Sequence, residues 1–179
     1  MSFLQHSTKR LHEYKRLAEK AMAQLDDETL LRNAPEADGN SIAVIVKHMR
    51  GNMLSRWTNF LTEDGEKPWR QREEEFVHET LNREGLLQLW EEGWQCVFKT
   101  LAMLGDEDLA RTIYIRKEPL TAMDAIIRQL MHYAYHVGQI ILICKQAKAD
   151  SWQSLSIPRG GTAAFNASMI AKPEQARPA

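Results

Sequence analysis

The chain has 179 residues, a length that suits one domain. Hydrophobic residues make up 44% and charged residues 26%, enough apolar material for a full core and too much for a disordered chain. Lysine and arginine number 23 against 24 acidic residues, so the net charge is -1 and supplies neither an electrostatic footprint for nucleic acid nor a polybasic patch for a membrane.

The first segment is predicted as an amphipathic helix from about Ser2 to Leu25. Ser2 and Gln5 fit a capping box, and Leu11, Tyr14, Ala18, Ala21, Met22 and Leu25 recur at steps of three and four. Lys9, Arg10, His12, Glu13, Lys15 and Arg16 interrupt these first turns, which is not the pattern of a secretory signal. The stretch from Asp26 to Asn40 reads as a connector with one short turn over Asp27 to Leu31. A second helix is expected from an N-cap at Ser41 to Leu61. Its start, 42–46, is β-branched enough for a strand, but the helical period continues through Met49, Met53 and Trp57, and length favours helix.

Thr62 to Glu79 is a charged connector in which Pro68 stops helix propagation, and the run Arg70 to Glu75 reads as a solvated face. A third helix is expected from about Leu81 to Leu104, ended by Gly105 and Asp106. Its apolar face carries Leu86, Leu89, Trp90, Trp94, Val97, Phe98 and Leu101. Thr112 to Arg116 alternates as a short strand or ribbon does. A fourth helix then starts at Thr121, with Asp124 completing a capping box, and runs to about Gln146; being apolar nearly all round, it is expected to be buried. The sequence therefore predicts an all-α fold: a four-helix bundle over residues 1–170, with long connectors that allow a non-sequential topology, and a frayed tail over 171–179. No apolar run approaches the roughly 18 residues of a spanning helix, and two cysteines make no disulfide framework. A cytoplasmic protein is the simplest expectation.

Among the six histidines, His132 and His136 stand four apart, on one face of the most apolar helix. Chance yields such a pair in about one of six shuffled chains with this many histidines, so the spacing alone is a weak signal. Context strengthens it, because unpaired imidazoles are costly in a buried helix. His48 holds a similar place in the second helix. Three neutral imidazoles from two facing helices can hold a divalent ion with coordination positions left open, as catalytic metals require. Core histidines bonded to carbonyls or carboxylates fit the same spacing. A di-iron carboxylate site needs two Glu-x-x-His pairs, and only Glu75 and His78 form one. Asn52, one turn after His48, and Gln139, three residues after His136, face the same way as the histidines and can orient a ligand or bind substrate; Tyr135 is a weaker candidate. Cys96 and Cys144 read as small buried hydrophobes, and Trp57, Trp90 and Trp94 as core. Ser156 to Asn166 reads either as a plain surface loop or as a segment that folds back to cap a pocket, which would bring Arg159 to an anionic substrate.

One histidine in the second helix followed by His-x-x-x-His in the fourth resembles the DinB/YfiT-like superfamily of metalloenzymes, and within it a bacterial subfamily of unknown function. The similar stretches are Ser41 to Trp69, His132 to Ile141 and Ser156 to Asn166. The resemblance implies a non-sequential four-helix bundle and a divalent metal, commonly nickel or zinc, on His48, His132 and His136, with water in the open positions. It also implies a homodimer and a small-molecule substrate, since relatives include thiol-dependent S-transferases and isomerases. Two functions follow as expectations. One is a metal-dependent enzyme, either a thiol-dependent S-transferase or a hydrolase. The other is a non-catalytic, metal-binding, stress-related homodimer.

Overall fold

The computed structural model of the protein describes residues 1–34, 39–77 and 81–170. The expected tail over 171–179, the Pro35 part of the first connector and His78 lie outside the described residues. Four long helices form the body: α1 (Phe3–Met22), α3 (Ile42–Trp57), α4 (Arg83–Met103) and α5 (Ala122–Lys148). Two short helices, α2 (Asp27–Leu30) and α6 (Thr162–Ile170), lie outside it, and a two-stranded antiparallel ribbon of β1 (Thr112–Ile115) and β2 (Glu118–Thr121) precedes α5.

The helix starts are set by side chains that satisfy free backbone N–H groups. Ser2 and Gln5 close the expected capping box on α1, and Asp26 caps α2. Ser41 accepts from Val44 N, Asn82 from Gly85 N, and Thr121 from Asp124 N. The α3 helix stops at Trp57, four residues before the expected end. Asn59 adopts a left-handed φ of 51°, which asparagine tolerates better than most residues, and the chain turns there. Phe60 still reaches the core, stacked on Trp57 with ring centroids 5.3 Å apart, so the apolar stripe outlasts the helix that carries it.

The α3 helix packs chiefly against α4 and α1 against α5, and the two pairs join through α3–α5 and α1–α4. Consecutive helices α1 and α3 thus stand diagonally across the bundle, and the topology is non-sequential as the long connectors allow. Leu11, Met49, Met53, Trp57, Trp94, Ile126 and Tyr133 fill the centre; burial of a large side chain stabilises by roughly 1.5–3 kcal/mol each.

Three expectations are corrected. The α5 helix is buried on one side only: Met131 is 69% exposed, and Tyr135 and Leu142 are also exposed, because α5 has helices on its α1 and α3 sides but none on this one. The run from Arg70 to Glu75 is not a solvated face. Its turn of 3₁₀ helix, Arg72–Phe76, lies against α3, and the side chains of Arg70 and Glu75 are 3% and 9% exposed. The stretch Ser156 to Asn166 is not all loop: α6 starts at Thr162, and none of its described side chains is buried.

The connector between α3 and α4 is pinned where it leaves α3. Near α3, the Arg56 guanidinium donates to Gly65 O and the Glu66 carboxylate, and Ser55 donates to Gly65 O. Gly65 N in turn donates to Tyr114 O at 2.7 Å, tying the ribbon to the same point. Asp64 accepts from the N–H groups of Arg116 and Lys117, both at 2.8 Å. Those two residues form the two-residue turn of the ribbon, with φ of 55° and 65°.

Candidate metal centre

The α3 and α5 helices face each other at one level of the bundle, and there the three histidines meet. His48 comes from α3, and His132 and His136 come from successive turns of α5. One ring nitrogen of each lies within 4.8 Å of the others. The His48 ring is edge-on to both partners, with centroids 5.6 Å from His132 and 4.9 Å from His136. The Nε2 atoms of His132 and His136 are 3.0 Å apart. Two nitrogens each about 2.0–2.1 Å from one ion are separated by roughly 2.8–3.4 Å at ligand angles between square and tetrahedral, so this pair needs little movement to share a metal.

The other ring nitrogens of His48 and His136 are already engaged. His48 Nδ1 lies 3.0 Å from Glu75 Oε2. An ionised carboxylate only accepts, so Nδ1 carries a proton, and the lone pair of the neutral ring is then on Nε2. His136 Nδ1 lies 2.8 Å from Gln139 Oε1, while Gln139 Nε2 donates to Tyr135 OH at 3.1 Å. With the amide oriented in that way, His136 too donates from Nδ1 and is left bare at Nε2. The sequence candidates Gln139 and Tyr135 thus form an exposed chain behind one histidine. Asn52 is buried and accepts from Tyr133 OH at 3.1 Å, and Tyr133 OH accepts from Trp57 Nε1 at 2.8 Å. Arg159 stands exposed between α5 and α6, and none of the hydrogen bonds described joins it to the triad.

Burial favours the neutral imidazole, the form that metal ligation requires, at His132 and His136. Burial pushes His132 down to about 3, and the charges of Arg56 and Arg70, with any proton gained by His136 or His48, act in the same direction. Burial also lowers His136, and its bond to Gln139 only partly offsets this. Glu75 keeps its charge for a different reason. Burial alone would raise its pKa, but hydrogen bonds from His48 and Arg70 and the guanidinium charge outweigh burial, and the net shift is downward.

The residues that the sequence did not bring to the site are Glu75, Arg70 and Phe76, all from the connector. Arg70 clasps Glu75 in a two-pronged pair, Nε to Oε1 at 2.8 Å and Nη2 to Oε2 at 2.9 Å, and Phe76 lies 5.3 Å from the His48 ring. No Asp or Glu lies one turn from the histidines on their own helices. The carboxylate arrives 27 residues downstream of His48. One sequence signal did point to it: a glycine, Gly51, in the middle of α3, where glycine costs roughly 1 kcal/mol relative to alanine.

A three-histidine centre between two helices of a non-sequential bundle, with a hydrogen-bonded outer set, has the chemistry of a divalent-metal site. The chain belongs to the family described as protein of unknown function (DUF1572), whose model matches residues 1–161. No curated protein matches the chain.

Proposed function

We propose that the protein is a metalloenzyme of the DinB/YfiT-like superfamily, holding one divalent ion, nickel or zinc, on His48, His132 and His136. The observation that carries this reading is the convergence of three bare or bare-able ring nitrogens within 4.8 Å, two of them with their other nitrogen tied to an acceptor. Those two ligands are already in their binding tautomer. An ion there supplies Lewis acidity and a bound water or thiol of lowered pKa, an anionic nucleophile at neutral pH.

The chain's own residues supply the rest. Three protein ligands leave coordination positions open, which a closed structural site does not. Gln139 and Tyr135 present an amide and a hydroxyl at the exposed edge of the site, where they can orient a small polar substrate. The buried chain Trp57–Tyr133–Asn52 stiffens the floor behind the histidines. Thiol-dependent S-transfer or hydrolysis is the reaction class, carried out by a cytoplasmic homodimer. The test is turnover by zinc- or nickel-loaded protein with low-molecular-weight thiols plus electrophiles, and with ester and amide substrates, each run against His48→Ala. Turnover that tracks the loaded ion and vanishes in the variant supports an enzyme. A bound ion without turnover in any arm returns the site to metal binding alone.

A further inference from the structure

We propose that Glu75 is the positioning residue of the metal centre: it holds His48 as the Nδ1–H tautomer, presents Nε2 to the ion, and couples ion binding to closure of the 62–77 connector over α3. This rests on the three-histidine reading above. The connector is the one part of the site that comes from neither ligand-bearing helix, and the fold spends a good deal to bring it there.

Three observations carry the role. First, a carboxylate and a guanidinium are both removed from water beside α3, with side chains 9% and 3% exposed. Burying such a pair rarely adds stability over apolar residues of the same size, so its presence calls for a reason beyond packing. Second, the geometry leaves Glu75 no freedom. Arg70 fixes both oxygens from one side, and the remaining lobe of Oε2 meets His48 Nδ1 at 3.0 Å. Third, α3 has given up a side chain to seat it. A Cβ at Gly51 would overlap Glu75 Oε1 and stand 2.6 Å from Cδ. Gly51 lies three residues after His48, on the same side of the helix, so the glycine and the histidine form the two walls of the carboxylate's seat.

A carboxylate behind a ligating imidazole fixes which nitrogen is bare and adds to its basicity, and its loss typically lowers metal affinity 10–100-fold. Coupling is reciprocal: if Glu75 favours the ion, the ion favours the docked connector by the same factor.

The test compares wild type, Glu75→Ala, Glu75→Gln and Gly51→Ala. Zinc and nickel affinity is read by chelator competition, and the His48 tautomer by long-range ¹H–¹⁵N correlation in metal-free protein. Glu75→Ala should lose 10–100-fold in affinity, with His48 no longer held as Nδ1–H. In Glu75→Gln the amide oxygen has two donors at the Oε2 position, His48 Nδ1 and Arg70 Nη2, against one at Oε1. It therefore still accepts from His48 and should keep affinity within a few-fold, although Arg70 loses its counter-charge and stability falls. That divergence is what a purely structural ion pair does not produce. If Glu75→Ala does not fold, Gly51→Ala keeps every charge and ligand and displaces only the carboxylate, and it should lose affinity in the same direction. Wild-type affinity in Glu75→Ala, equal losses in Ala and Gln variants that follow their stability, or an Nε2–H tautomer in wild type would each overturn the proposal. Absence of ion binding in wild type defeats the three-histidine reading, while the tautomer measurement still decides the role of Glu75.

Discussion

Tyr133→Phe removes one oxygen from the middle of the protein and tests how the floor of the site is held. Tyr133 is fully buried, and its hydroxyl both accepts from Trp57 Nε1 and donates to Asn52 Oδ1. Phenylalanine fills nearly the same space, so no large cavity forms. What changes is that two buried polar groups lose their partner at once, in residues 1% and 6% exposed. Each such orphan costs roughly 1–3 kcal/mol, so the loss should be about 2–6 kcal/mol, a large part of the ~5–15 kcal/mol typical of a whole domain. At roughly 2–4 °C per kcal/mol for a chain of this size, the melting temperature should fall by about 4–24 °C. Urea unfolding followed by tryptophan fluorescence gives the free energy, and calorimetry gives the midpoint. A loss below about 1 kcal/mol would mean that Trp57 and Asn52 find other partners readily, and the picture of a stiff buried chain behind the histidines would be refuted.

Other expected outcomes concern separate parts of the molecule. His132 stays neutral in the folded chain down to about pH 3, whereas unfolded it takes a proton near 6.5. Between those values the unfolded state binds the extra proton, so the stability of chelator-treated protein should fall as pH drops from 6.5 toward 3; urea midpoints against pH should flatten in His132→Asn, and an unchanged slope in that variant would contradict the assignment. Lys117→Gly relieves roughly 1–2 kcal/mol of left-handed strain at φ 65° and adds roughly 0.5–1 kcal/mol of unfolded-state entropy, so thermal unfolding should show a gain of about 0.5 kcal/mol; a net loss would mean that the Lys117 side chain matters more than its backbone. Burial pushes the Cys144 thiol up to about 12, so a disulfide reagent should modify it only as fast as the protein unfolds, and rapid labelling under native conditions would contradict its burial.

The parts of this fold that are legible in its sequence are those fixed by local chemistry. Ser2, Ser41 and Thr121 mark helix starts because a hydroxyl at that position answers a free N–H whatever the rest of the chain does. The first strand of the ribbon, expected over 112–116, and the shared face of His132 and His136 follow in the same way from alternation and helical spacing. The illegible parts depend on distant neighbours. Arg70 and Glu75 look like solvated charges because a charged run usually is one. Their burial is decided by each other, by His48 and by the missing side chain at Gly51, and none of these is local. Likewise the outward side of α5 has the same apolar period as its inward side, and only the packing of α1 and α3 distinguishes them. The end of α3 turned on one residue, Asn59, whose tolerance of positive φ outweighed an apolar period that continues to Leu61.

The most direct test of the central claim is the metal content of protein purified without an affinity tag, measured by elemental analysis beside His48→Ala and the double variant His132→Ala/His136→Ala. The three-histidine centre predicts about one zinc or nickel per chain in the wild type, lost in both variants while the helical circular dichroism is kept. No bound ion, together with no thermal shift on adding nickel, zinc, manganese or iron, would contradict it, and would leave His48, His132 and His136 as core residues tied to Glu75, Gln139 and one another.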